Sequence, residues 1–102
     1  MSNTAKVAGV EVDCRHFIGG ERCALDTQRF EVFSPIDGAQ LCEVAAGSAV
    51  EVDHAVRAAR AAFTAWAALG PQGRGAILDR FAQGILDQKE ALAAVETADN
   101  GS

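Results

Sequence analysis

Up to about Ala45 the apolar residues alternate with polar ones in short runs, and from Ser48 onward they recur at steps of three and four. The first pattern belongs to strands, whose side chains point to opposite faces in turn, and the second to helices with one apolar face. In CRHFIGGERCAL the Gly19-Gly20 dipeptide divides two short runs, and adjacent glycines accept the positive φ of a tight hairpin turn. Strands are therefore predicted near Arg15 to Ile18 and Glu21 to Ala24. In RFEVFSPIDGAQLCEVA, Pro35, Asp37 and Gly38 supply a fixed φ, a local side-chain acceptor and a permissive backbone. Ser34 to Gly38 is thus the predicted turn of a second hairpin, joining Phe30 to Phe33 with Gln40 to Ala45. Residues 1–14 are rich in small and polar residues without clear period, and read as a flexible lead-in.

Ser48 and Glu51 have the spacing of a capping box, in which each side chain serves the other's free backbone N–H at a helix start. Val52, Ala55, Val56, Ala59, Ala62, Phe63 and Trp66 then form one apolar stripe, predicting a helix over 48–69 that Gly70-Pro71 ends. His54, Arg57 and Arg60 fall beside or opposite the stripe and read as its solvated face. A second helix is predicted over 74–99, with Ile77, Leu78, Phe81, Ile85, Leu86, Leu92 and Val95 facing one way. Its phase drifts around Asp87 to Lys89, where a bend or brief break is expected. Asn100-Gly101 supplies residues that tolerate a left-handed C-cap. Two short β-hairpins followed by two amphipathic helices make an α+β unit. Such a set seldom closes a core by itself.

Composition sharpens that last point. The chain has 102 residues, enough for one domain at most, and many of its apolar residues are alanines between Ala45 and Ala98. Burying a Val, Leu, Ile or Phe side chain gains roughly 1.5–3 kcal/mol and a lone methyl well under half of that, so the expected core is thin and its stability marginal. A net charge of −5 with interleaved acids and arginines offers no basic patch for a nucleic acid. No apolar run is long enough for a membrane span and no secretory signal opens the chain, so a cytoplasmic location is expected. Cys14, Cys23 and Cys42 form an odd set without C-x-x-C spacing, and read as free thiols.

Chemistry is scarce among these residues. GPQGRG, Gly70 to Gly75, looks like a phosphate-cradling loop, but a helix precedes it and neither the dinucleotide nor the P-loop spacing is present, so it reads as an interhelical connector. Cys14 and His16 share a strand face, yet zinc asks for four such ligands in paired spacings, which Cys23, Cys42 and His54 do not complete. The acid pairs Asp87 with Glu90 and Glu96 with Asp99 read as solvated helix positions. No nucleophile has a base and an orienting group supplied by local spacing.

The ordered series HFIGGER, FEVFSPIDGAQLCEVAAGS, VDHAVRAARAAFTAW, ILDRFAQGIL and LAAVETADNG resembles the amino-terminal part of the aldehyde dehydrogenase superfamily, from about His16 to Ser102. The resemblance implies that residues 15–102 are the amino-terminal portion of a cofactor-binding domain in an α/β fold. It also implies oxidation of an aldehyde to a carboxylic acid with NAD or NADP in the full-length enzyme, through a cysteine thiolate and a general-base glutamate. None of the three cysteines matches the catalytic motif, and the dinucleotide-binding segment belongs to downstream sequence, so this piece alone is expected to be inactive and to bind no cofactor. Its partner would be the remainder of the dehydrogenase chain, in a homo-oligomer when full length. The resemblance further implies a structural sodium or potassium ion held by the backbone carbonyls of Val32 and Phe33 and the Asp99 carboxylate, hard oxygen ligands suited to such a cation. Asp99 as an ordinary helix-end residue is the plainer reading. Ser102 stands where the family often has a basic residue after DNG. A stand-alone interaction module, or a decayed gene product that docks on an intact relative, is the competing reading.

Overall fold

A computed structural model describes residues 3–25 and 28–102. Among these residues three antiparallel strand pairs come first and three helices follow. Strands β1 (Thr4–Val7) and β2 (Val10–Asp13) form a hairpin inside the stretch expected to be a flexible lead-in. Its turn is Ala8-Gly9, with φ of 52° and 77°. Positive φ at both turn positions matches the right-handed twist of the strands, but an alanine there gives no sequence signal. The next hairpin, β3 (His16–Ile18) with β4 (Glu21–Cys23), uses the legible version of the same turn, Gly19-Gly20 at 62° and 82°.

β5 (Arg29–Phe33) and β6 (Gln40–Ala45) form the third hairpin, with the turn where the sequence put it. That turn satisfies its own backbone. Ser34 N–H donates to the Ala39 carbonyl, Gly38 N–H to the Ser34 carbonyl and Ile36 N–H to Ser34 Oγ, while Ala39 N–H donates to Asp37 Oδ1. The register slips between Val32, opposite Cys42, and Phe33, opposite Gln40, so Leu41 is an extra residue on β6. The first hairpin leans on the third: Ala45 N–H donates to the Cys14 carbonyl at 2.8 Å, and Arg29 Nη2 donates to Asn3 Oδ1.

Helix α1 (Ala49–Ala68) starts at Ser48 as expected. Helix α2 (Gly70–Asp87) begins four residues earlier than the sequence indicated, leaving Leu69 as the only junction. GPQGRG is therefore the first turn of α2 rather than a connector. Pro71 suits that place because the early N–H groups of a helix have no intrahelical partner and its fixed φ is already helical. At Gln88 the expected break divides the second predicted helix into α2 and α3 (Lys89–Asn100), which ends in a left-handed Gly101 with φ of 86°.

The buried apolar residues are few: among the described residues Val7, Cys14 and Ala45 make up the core, all on the first and third hairpins or beside them. The stripe of α1 exists as predicted, but among the described residues little of it is covered. Phe63 is 67% exposed and Phe81 on α2 is 68% exposed, with Val52, Val56, Leu78 and Leu86 also open. The radius of gyration is 16.5 Å, against about 13 Å for a compact domain of this length. Accessible surface is 7401 Å², where a compact monomer of this mass would show about 5,500 Å². Among the described residues no helix is long and apolar enough to cross a membrane.

Candidate functional site

Two places in the fold gather polar groups against apolar walls. The first is the start of α1. Glu51 is only 3% exposed, although a carboxylate is costly to bury without partners. Its Oε1 accepts the Ser48 N–H at 3.1 Å and the Ser48 hydroxyl at 2.8 Å. His16 Nε2, on β3, lies 2.7 Å from Glu51 Oε2 without the alignment of a hydrogen bond, and among the described residues neither atom has a hydrogen-bond partner. The Ser48 hydroxyl is the main reason the Glu51 carboxyl sits below the ordinary glutamate range; burial opposes it, and the Ser48 N–H, the His16 ring and the Leu25 N–H reinforce it. Glu51 thereby fastens the second hairpin to α1. The neighbouring contact uses small side chains: a Cβ added to Gly19 would stand 3.7 Å from Ala58 Cβ, so turn and helix meet almost backbone to backbone.

This arrangement holds a helix in place; it does not perform chemistry. Both His16 and Ser48 turn toward the carboxylate, so neither is aimed at a substrate as a base or nucleophile would be. The sequence revealed the Ser48–Glu51 half of it by spacing alone. His16 was legible only as a partner of Cys14 on a shared strand face, a pairing that its turn toward Glu51 leaves unused. Among the described residues no group of three or more His, Cys, Asp and Glu side chains gathers as a metal site.

The second place is a cavity of about 230 Å³ between hairpins and α3, lined by Val12, Val32, Cys42, Val95, Glu96 and Asp99 among others. Val32 and Asp99, far apart in sequence, meet at this wall, while Phe33 is not part of the lining and its side chain is exposed. They are brought together by the end of α3 resting on the Ser34–Gly38 turn. An added Cβ on Gly101 would come within 3.0 Å of Pro35 Cγ, so both the positive φ and the close approach require glycine there. The irregular pairing at Val32 and Phe33 breaks the ladder beside this cavity, a feature that re-aims backbone groups. Burial pushes the Cys42 thiol up, and the nearby Cys14 and Asp99 act in the same direction.

The family model described as the aldehyde dehydrogenase family matches residues 23–102. The chain is 41% identical to an N-succinylglutamate 5-semialdehyde dehydrogenase of Chromobacterium violaceum, over 83% of this chain and 18% of that protein. It is 42% identical to a mitochondrial aldehyde dehydrogenase of Mesocricetus auratus, over 89% and 19%, and 34% identical to an NADP/NAD-dependent aldehyde dehydrogenase of Escherichia coli, over 94% and 20%. It thus spans about a fifth of the length of the relatives it matches. No solved structure matches it significantly. With strand pairs ahead of amphipathic helices, and a family match that takes in most of its length, this chain belongs to the aldehyde dehydrogenase family and carries part of that fold.

Proposed function

We propose that this chain is the amino-terminal scaffold of an NAD(P)-dependent aldehyde dehydrogenase, an oxidoreductase that converts an aldehyde to a carboxylic acid, and that by itself it is catalytically inactive. The observation that carries the reading is the uncovered apolar surface. Compared with a compact monomer, about 1,900 Å² more of the chain is open to water, and the open part includes the helix faces that in a closed domain would be buried. Relatives five times as long supply sequence that could cover it. In the whole enzyme the remainder of the dehydrogenase polypeptide is the partner of these faces, and the assembly is a cytoplasmic homo-oligomer. NAD or NADP belongs to that remainder.

A sodium or potassium ion at the carbonyls of Val32 and Phe33 and the Asp99 carboxylate is part of the proposal. The shared cavity wall and the broken ladder support it, since a carbonyl released from strand pairing is free to face a cation.

The test is assay of the purified chain with aldehydes and NAD or NADP, alone and after co-expression with the complementary segment of a relative such as the Chromobacterium violaceum dehydrogenase. Cofactor reduction is expected only from the combination, which should also co-purify. Reduction by the chain alone, lost when one of Cys14, Cys23 or Cys42 is replaced, would overturn the reading.

A further inference from the structure

The outer face of α1 has a shape and a charge pattern that fit a second copy of themselves. Ala58 turns toward Gly19 of the second hairpin. Val56, two residues away in a helix of 3.6 residues per turn, points to nearly the opposite side. Val52, Val56 and Phe63 are exposed there, and Val56, Ala59, Arg60 and Phe63 line an open depression of about 460 Å³. Their spacing is i, i+3, i+4 and i+7, the diamond of four residues that receives one side chain of a facing helix in knobs-into-holes packing.

An identical helix laid antiparallel supplies the knob. With Val56 of each copy in the depression of the other, Phe63 faces the other copy's Val52 and Asp53 faces its Arg60. Seven residues, about two turns, separate Asp53 from Arg60, so both border the apolar stripe on one edge, and reversing direction brings like edge to like edge. Asp53 Oδ2 already meets Arg57 Nε at 2.9 Å, but both side chains are exposed and a carboxylate accepts from more than one donor. The chain leaves about 1,900 Å² more surface open than a compact monomer of its mass. That is more than twice the roughly 800 Å² that each partner covers in an ordinary stable dimer.

We propose that two copies of this chain pair through the outer face of α1, antiparallel about a two-fold axis. A second copy is thus the occupant of this face whenever the remainder of a dehydrogenase polypeptide is not there to cover it. Every contact across the axis occurs twice, and the pairing uses up the face, so assembly stops at two. Dilution returns single chains, in which the face is open to water.

Sedimentation velocity over a range of chain concentrations should show a mass of 10.6 kDa passing to twice that value and no further. Val56→Lys places an ammonium group in the seam on both sides of the axis. It should raise the dissociation constant on the order of a hundredfold, with helix content unchanged by circular dichroism. Asp53→Arg and Arg60→Asp each turn two attractive contacts into repulsive ones, and each alone should weaken pairing about tenfold. Mixed in equal amounts, these two variants should form a heterodimer close to the original in tightness, because every charge contact across it again joins opposite signs. Should Val56→Lys disturb the helix, the mixture still decides. The readout needs neither aldehyde nor cofactor, so it stands or falls apart from the dehydrogenase reading. Single chains at every concentration, a mass that keeps growing, a pair indifferent to Val56→Lys in a folded variant, or a mixture no tighter than its components would each overturn the proposal.

Discussion

The end of α3 and the arm formed by α1 and α2 are built from similar material, alanine-rich amphipathic helix, yet they stand in opposite conditions. Around Gly101 the parts meet: the left-handed cap sits on Pro35, the turn beneath it is hydrogen-bonded through the N–H groups of Ser34, Ile36, Gly38 and Ala39, and Asp99 shares a cavity wall with Val32. Along the arm, Val56, Phe63, Leu78 and Phe81 meet water. Attachment rests on the start of α1, where Glu51 holds Ser48 and His16, and on a narrow contact of alanine with glycine. Amphipathic pattern by itself decides that a helix has an apolar face; a second surface decides whether the face becomes core. Among the described residues that second surface meets the end of α3 and is missing along most of the arm.

The comparison is broken most forcefully at Glu51. Glu51→Ala removes the acceptor of Ser48 and strands a buried His16 Nε2 and Ser48 N–H, so the second hairpin and α1 should part. Urea unfolding followed by circular dichroism should show a larger loss than Ser48→Ala, for which a cap deletion of about 1 kcal/mol is expected. An equal or smaller loss for Glu51→Ala would mean that the carboxylate is only a cap. Acid should reproduce part of this effect without mutation. Because the folded-state pKa of Glu51 lies below its unfolded value, its contribution is fully present above the unfolded value and is lost as pH falls through the folded one. Asp13, held down to about 2 chiefly by the hydrogen bond from the Arg15 side chain, follows the same sign at lower pH. A stability profile flat from pH 6 to 3 (roughly the carboxylate range) would count against both.

Gly101→Ala probes the well-covered region. The left-handed backbone alone disfavours a Cβ by roughly 1–2 kcal/mol, and contact with Pro35 adds to it. The smallest effect is expected on the arm: Phe63→Lys with Phe81→Glu should change the stability of the isolated chain by less than about 0.5 kcal/mol per site, as exposed positions do. The same pair should sharply reduce co-purification with the complementary segment of a relative. A cost of several kcal/mol in isolation would show that the arm is already packed in solution.

How far the sequence reached can be seen in paired cases. Gly19-Gly20 announced its hairpin, whereas Ala8-Gly9 makes the same kind of turn unannounced, because alanine seldom adopts positive φ and the strands beside it are short. The drift of phase at Asp87 to Lys89 marked the break at Gln88, but Gly70-Pro71, legible as a stop, is also a start: proline forbids continuing the previous helix and fits the first turn of the next. At the candidate cation site Val32 and Asp99 lie far apart in sequence, and the cavity wall they share became visible only in the fold.

Local sequence alone determined the tight turns, the helix starts and ends, and which side of each helix is apolar, since these follow from φ preferences and from spacing within a few residues. Tertiary structure decided which apolar sides found partners, why a carboxylate at position 51 tolerates burial, and that Val32 and Asp99 share a cavity wall. Those outcomes depend on surfaces distant in the chain arriving at one place, and no short-range pattern encodes that arrival.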